Sequence, residues 1–150
     1  MTTSANLTNR ALPMFWRCFE SGFMTRLWAF LTRQPRRLME LDETLCCANV
    51  RNVHYAGTQP VAINRIRGTE GKANEFDAGF HPLKEASRSR WLGVAMERLR
   101  GNDLPPVDLV DVDGIYYVRD GHHRISVARS MGQVYIDAVI VRMTIEQRIR

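Results

Sequence analysis

The stretch VDLVDVDGIYYVRDGHHRISVARSMG, residues 107–132, constrains the fold more than any other part of the chain. Asp113-Gly114 sits between two runs rich in Val, Ile and Tyr. Both central residues of a tight hairpin turn must tolerate positive φ, and Asp-Gly does so at little cost. The second arm then passes through Gly121 into a run with helical periodicity, which Gly132 ends. This predicts a strand, a tight turn, a strand and a helix, and then a further strand from Val134 to Val141.

The flanking sequence is mixed in the same way. Val61 to Ile66 reads as a short strand, and Arg67 to Phe80, with Gly68, Gly71 and Gly79, as a loop. Glu85 to Leu99 reads as a helix stopped by Gly101, and Pro105-Pro106 forces an extended segment. Residues 12–47 read as mostly helical, with Pro13 tolerable in a first turn. Leu12, Trp16, Phe19, Phe23, Leu27 and Leu31 recur at spacings of three and four, forming an apolar stripe that Trp28 widens. Arg17, Glu20, Arg26 and Arg33 lie between them. Pro35 is expected to break this helix, and a second short one should run from Leu38 to Cys47. Such a basic, aromatic-rich helix packs on its own domain, on a second copy of the chain, or on a membrane surface. The expected class is α+β: a small mixed sheet with packed helices over residues 51–150, preceded by an N-terminal helical appendage over residues 1–50.

The chain has 150 residues, 45% of them hydrophobic, which suits a single core. Of 21 basic residues only Lys72 and Lys84 are lysine, which leaves 19 arginines against 16 acids and a formal charge of +5. Arginine's planar fork suits phosphate and carboxylate, although a charged face is most often simply a solvated one. The excess charge admits a nucleic-acid or nucleotide partner without selecting one. Cys18, Cys46 and Cys47 show neither a disulfide framework nor zinc-ligand spacing, which favours a reducing, cytoplasmic compartment. No run approaches the length of a membrane span, and the N-terminus lacks the order of a secretory signal.

The start of the helix after Gly121 is the candidate site. Its first N–H groups have no partner within the helix and the dipole is positive there, so it can receive an anion. His122, His123 and Arg124 add side-chain donors, and Asp120 or Gly121 caps the helix. Arg124 shares a stripe with Ala128 and Met131, so it should face inward and needs a partner. Either Asp120 or Asp137 supplies one, or a bound phosphate does. The plainer alternative is a buried Arg–Asp pair with two incidental surface histidines. A metal site is not expected, because adjacent histidines diverge on a helix and only His54 and His81 remain as further histidine ligands. RGTEGK, residues 67–72, fails as a P-loop. Ile66 stands where the first glycine belongs, and Ala73 where Ser or Thr belongs.

The segment WLGVAMERLRGNDLPPVDLVDVDGIYYVRDGHHRISVARSMGQVYIDAVIV resembles the N-terminal domain of ParB partition proteins and, more widely, the ParB/sulfiredoxin superfamily. The shared order is helix, Gly, Pro-containing strand, hairpin, Gly-x-x-Arg, helix, Gly, strand, over about Val61 to Val141. It fits best a bacterial ParB-like group of unassigned role that carries Asp-Gly-His-His-Arg and an upstream loop like RGTEGKANEFDAGFHPL. The resemblance implies a site for a nucleoside triphosphate or diphosphate, ATP or CTP, with Mg²⁺. Carried over by position, Gly121, His123 and Arg124 would hold phosphate, with Asp120 and His122 beside them. His122 stands where sulfiredoxin has its redox cysteine, so sulfiredoxin activity is not expected. Arg67, Glu70 and Lys72 would face the nucleotide, with Glu70 as a base or magnesium ligand and His122 as a further catalytic candidate. Glu70 as an ordinary surface glutamate is the competing reading.

Two classes of function follow. One is a nucleotide-binding phosphotransferase or NTP hydrolase. The other is a non-catalytic DNA-associated partition or regulatory module, or a ParB-like nuclease. The chain stops nine residues after Val141, so the DNA-reading helix-turn-helix of full partition proteins is not expected, and DNA binding should be weak and non-specific. Asp108, Asp111 and Asp113 are close in sequence but make no evident paired-carboxylate site, and Asp113 is better explained by the turn.

Overall fold

The computed structural model describes residues 4–34 and 36–147. Helix α1 (Ser4–Thr32) is followed by strand β1 (Met39–Glu40), helix α2 (Leu41–Leu45), strand β2 (Ala48–Ala62) and strand β3 (Ile66–Thr69). After a loop come helix α3 (Arg88–Leu99), the hairpin of β4 (Val107–Val112) and β5 (Ile115–Asp120), helix α4 (His122–Ser130) and strand β6 (Tyr135–Gln147). The strands form one mixed sheet in the order β1-β3-β5-β4-β6-β2. Pairs β1–β3, β3–β5 and β4–β6 are parallel, while β4–β5 and β2–β6 are antiparallel. This is the expected α+β class: a small mixed sheet, packed helices and a long N-terminal helix.

The hairpin turns where Asp-Gly predicts. Asp113 and Gly114 both have positive φ, 51° and 86°, as the tight turn demands. Alternation along its arms divides the core between the two faces of the sheet. Val107, Leu109, Tyr116 and Val118 join Ile125 and Ala128 of α4 on one face. Val110, Val112 and Tyr117 join Leu41 of α2 on the other. A second layer forms outside α4. Phe15 of α1, Trp91 of α3 and Val127 of α4 are fully buried together. The Phe15 and Trp91 rings meet edge to face at 5.7 Å, and the Trp91 indole N–H donates to Ser126 Oγ at 2.9 Å.

Three expectations are corrected here. Helix α1 starts at Ser4, so Pro13 lies inside it rather than in its first turn. Its core-facing stripe is Leu7, Ala11, Phe15, Cys18 and Gly22, not the aromatic stripe from Leu12 to Leu31. Close approach selects the small residues: a Cβ on Gly22 would sit 2.7 Å from His81 Cβ. The strand expected from Val61 to Ile66 is instead split: Val61 and Ala62 end the long β2, Ile63–Arg65 form a 3-10 turn, and Ile66 opens β3. The break expected at Pro35 lies outside the described residues.

Candidate functional site

Strands β3 and β5 run parallel, with Thr69 beside Val118, so their carboxyl ends emerge together and α4 begins at that edge. Gly121, with φ +103°, makes the corner. A Cβ there would lie 2.5 Å from Cγ1 of the fully buried Val107, so both conformation and space require glycine. The corner opens a cavity of about 450 Å³ lined by Lys72, Asp120, Gly121, His122, His123 and Arg124, together with Arg90, Gly93 and Val94 of α3.

The two histidines are not incidental surface residues. His122 is 2% exposed, and its Nε2 lies 2.7 Å from Thr69 Oγ1. Its ring stacks on Phe76 at 5.7 Å, and His123 meets the same ring edge-on at 5.1 Å. One aromatic side chain thus gathers two histidines that diverge on their helix. His122 Nδ1 and His123 Nε2 are buried without a hydrogen-bond partner. Burial, then the Lys72 ammonium and then His123 push the His122 pKa down from 6.5 to about 4, against an opposing pull from Asp120. Burial, then Lys72 and then Arg90 lower that of His123, against Glu75. Both rings are therefore neutral at pH 7, under the positive potential of Lys72 and Arg90.

Arg124 has partners. Its Nη1 donates to the carbonyls of Pro105 and Pro106 at 2.6 and 2.7 Å, and its Nη2 to Asp120 at 2.8 Å. Asp137 does not pair with it. The arginine ties α4 to the extended segment before β4. Its side chain is 17% exposed whereas that of Asp120 is 69% exposed, so the two carbonyls are the harder partners to replace. Arg124→Ala should lower unfolding stability by about 2 kcal/mol, measured by urea denaturation.

The RGTEGK loop turns away from the cavity except at Lys72. Arg67 is exposed on β3 and does not line the cavity. Glu70 accepts from Arg119 Nε at 2.7 Å. The amide N–H groups of Gly71 and Ala73 donate to the two oxygens of Glu40 at 3.0 and 3.1 Å, and the Lys72 N–H donates to Thr69 Oγ1 at 3.2 Å. The amides that a P-loop would turn to phosphate are thus taken by a carboxylate of this chain. Sequence reasoning missed Thr69, Phe76 and Arg90. Arg90, Gly93 and Val94 do share a helical face by their spacing, but nothing local shows that this face meets α4.

A second cavity of about 540 Å³ is lined by Arg17, Cys18, His81, Ser126 and Arg129 among others. Burial pushes the Cys18 thiol up to about 11, so it stays protonated. Asp77, 2% exposed, accepts from the Gly79 and His81 amides and faces His81 Nδ1, which makes it the knot of its turn. His54 lies on the edge strand β2, away from these groups. Among the described residues no three His, Cys, Asp or Glu gather as a metal site would require. Asp111 accepts from the Gly114 N–H and from Arg142 Nε, each at 2.8 Å, so both its oxygens are engaged within the fold. Among the described residues no helix is long and apolar enough to cross a membrane.

No known protein family matches the sequence, and no curated protein does. Among solved structures the chain is similar to sulfiredoxin from Arabidopsis thaliana, with 21% identity and a TM-score of 0.41 over 58% of this chain and 86% of that one.

Proposed function

We propose that the cavity at the start of α4 binds the phosphates of a nucleoside triphosphate or diphosphate. The observation that carries this reading is the pair of buried, unpartnered ring nitrogens, His122 Nδ1 and His123 Nε2, on two residues that line a cavity with Lys72 and Arg90. Buried polar atoms are otherwise almost always satisfied, and Gly121 provides no side-chain cap for the helix N-terminus. A phosphate answers all of these at once: it accepts from free amides and ring N–H groups and neutralises two cations. The sequence resemblance supplies the nucleotide, with ATP or CTP and Mg²⁺ as the forms to try. Lys72, Arg90, His123 and the free Nδ1 of His122 take the direct role in this reading. Arg124 and Asp120 position the corner, and His122 braces it through Thr69. Glu70 is held by Arg119 on the neighbouring strand, so the proposal assigns it no contact with the phosphates.

A thermal-shift series with ATP, ADP, CTP and CDP, with and without magnesium, tests the reading. Ligand at about 100 times its Kd adds roughly 2.7 kcal/mol of stability. Lys72→Gln and Arg90→Gln should each weaken binding by about ten- to a hundred-fold, as expected for loss of one charge-assisted bond. The variants should leave unliganded melting nearly unchanged, because neither side chain has a hydrogen-bonded or ion-paired partner among the described residues. The reading fails if no nucleotide raises the melting temperature. It fails equally if the two variants bind like the parent. Phosphate release measured on the same samples reports any hydrolase activity, and nanomolar selection of a defined duplex would favour the DNA-associated alternative instead.

A further inference from the structure

Helix α1 is apolar on two opposite faces, and the fold uses one of them. At about 100° per residue, the buried stripe of Leu7, Ala11, Phe15, Cys18 and Gly22 points one way. Phe23, Met24, Leu27, Trp28, Phe30 and Leu31 cover an arc of roughly 160° centred on the opposite side. All six are exposed, from 43% at Leu27 to 81% at Phe30. Isolated exposed apolar residues are ordinary, but six within nine consecutive positions form a contiguous patch of the kind that marks an interaction surface.

The charge around the patch selects its occupant. From Arg17 to Met39 the chain has five arginines, at 17, 26, 33, 36 and 37, against one acidic residue, Glu20. Arg37 pairs with Glu43, whereas Arg33 and Arg36 have no carboxylate partner among the described residues. A second copy seated on this face would set two segments of net positive charge against each other, with only Glu20 in each to offset the arginines. An anionic bilayer offers the complementary arrangement: phosphate headgroups for the arginines, acyl chains for Leu27, Phe30 and Leu31, and the interfacial zone that suits the Trp28 indole. We propose that the exposed face of α1 from Phe23 to Leu31 docks on the surface of an anionic lipid bilayer, lying in its plane without crossing it. This surface is independent of the α4 cavity.

The test is co-sedimentation of the full chain with vesicles of phosphatidylcholine alone and of phosphatidylcholine with about a third phosphatidylglycerol. Binding is expected to the mixed vesicles only, to shift Trp emission to the blue, and to fall steeply as salt rises toward 1 M. The emission shift should vanish in Trp28→Phe, because Trp91 is already fully buried and Trp16 packs against the core between α1 and α3. Phe30→Ser and Leu31→Ser should each weaken partitioning by about ten-fold or more, the loss expected when one apolar side chain no longer leaves water. Both residues are solvent-exposed, so the melting temperature should stay that of the parent and the fold serves as its own control. Equal binding to neutral vesicles, unchanged binding of the two serine variants, or no binding to either vesicle overturns the proposal. A dimer in analytical ultracentrifugation that Phe30→Ser dissociates, in a chain that ignores vesicles, assigns the face to a second copy instead.

Discussion

Gly121→Ala should lower stability by about 2–6 kcal/mol and the melting temperature by about 10 °C, with loss of whatever binds at the start of α4. Two independent costs combine. A φ of +103° is one that an L side chain adopts only under strain, at about 1–3 kcal/mol. The new methyl would also stand 2.5 Å from Val107 Cγ1, 2.9 Å from Val107 Cβ and 3.2 Å from Arg124 Nη2. Val107 is fully buried and has nowhere to go, and such overpacking adds about 1–3 kcal/mol. Two other glycines separate these costs. Gly132 has φ +75° but nothing within 4 Å of a built Cβ, so Gly132→Ala should show the strain alone, about 1 kcal/mol. Gly93 lies within α3 with open space around it, so Gly93→Ala should raise stability by about 0.5–1 kcal/mol. Urea denaturation of the three variants checks the order. A Gly121→Ala protein as stable as Gly132→Ala would show that the corner is not closely packed.

Acid should destabilise the protein by about 3 kcal/mol through His122 alone. Its pKa is about 4 in the fold and 6.5 without it. Between those values the unfolded chain binds a proton at this ring and the folded chain does not, so stability rises with pH across the window. The contribution is complete above pH 6.5 and lost as pH falls to about 4; the difference corresponds to roughly 3 kcal/mol. His123 acts in the same direction. His122→Gln keeps a group able to reach Thr69 and removes the titration. Subtracting its unfolding curves from those of the parent between pH 7 and pH 4 isolates the effect, and parallel curves would refute it. A bound phosphate reverses the local field. It should raise both histidine pKa values, so nucleotide should bind more tightly as pH is lowered from 8 toward 6, with proton uptake visible by calorimetry in buffers of different ionisation enthalpy.

The features legible in the sequence share one property: their causes are local. The Asp113-Gly114 turn and the glycine stops at Gly101 and Gly132 follow from backbone conformations that few residues can adopt. The positive end of α4 follows from helix geometry alone. What was hidden depends on partners distant in the chain. Strand β2 bonds to β6 with two register shifts, and most of its residues are exposed, so no alternation announced it. The aromatic residues of α1 drew attention to one face, while the core took the face with Ala11 and Gly22, where backbones come close. At the site, Arg124 was legible as an inward arginine in need of a partner. Its acceptors on Pro105 and Pro106, the Phe76 ring between the histidines and Glu40 over the loop amides all come from other elements.

The pairing of β2 with β6 also bears on how the chain is made. Tyr135 follows Ala62 by 73 residues. At a ribosomal rate of about 5–20 residues per second, β2 waits roughly 4–15 seconds before the first residue of its partner is synthesised. During that interval fifteen residues of strand-forming chain, Val50, Val53 and Tyr55 among them, carry ladder groups with nothing to bond. The sheet cannot close from the N-terminal side. The β4–β5 hairpin, whose contacts are local and quick to form, can close before β6 is made, and β6 then has two edges to pair with, β4 in parallel and β2 antiparallel. The last strand of the sheet to be made is thus the bridge to one of the first, and the nascent molecule is most open to mispairing just before that bridge arrives.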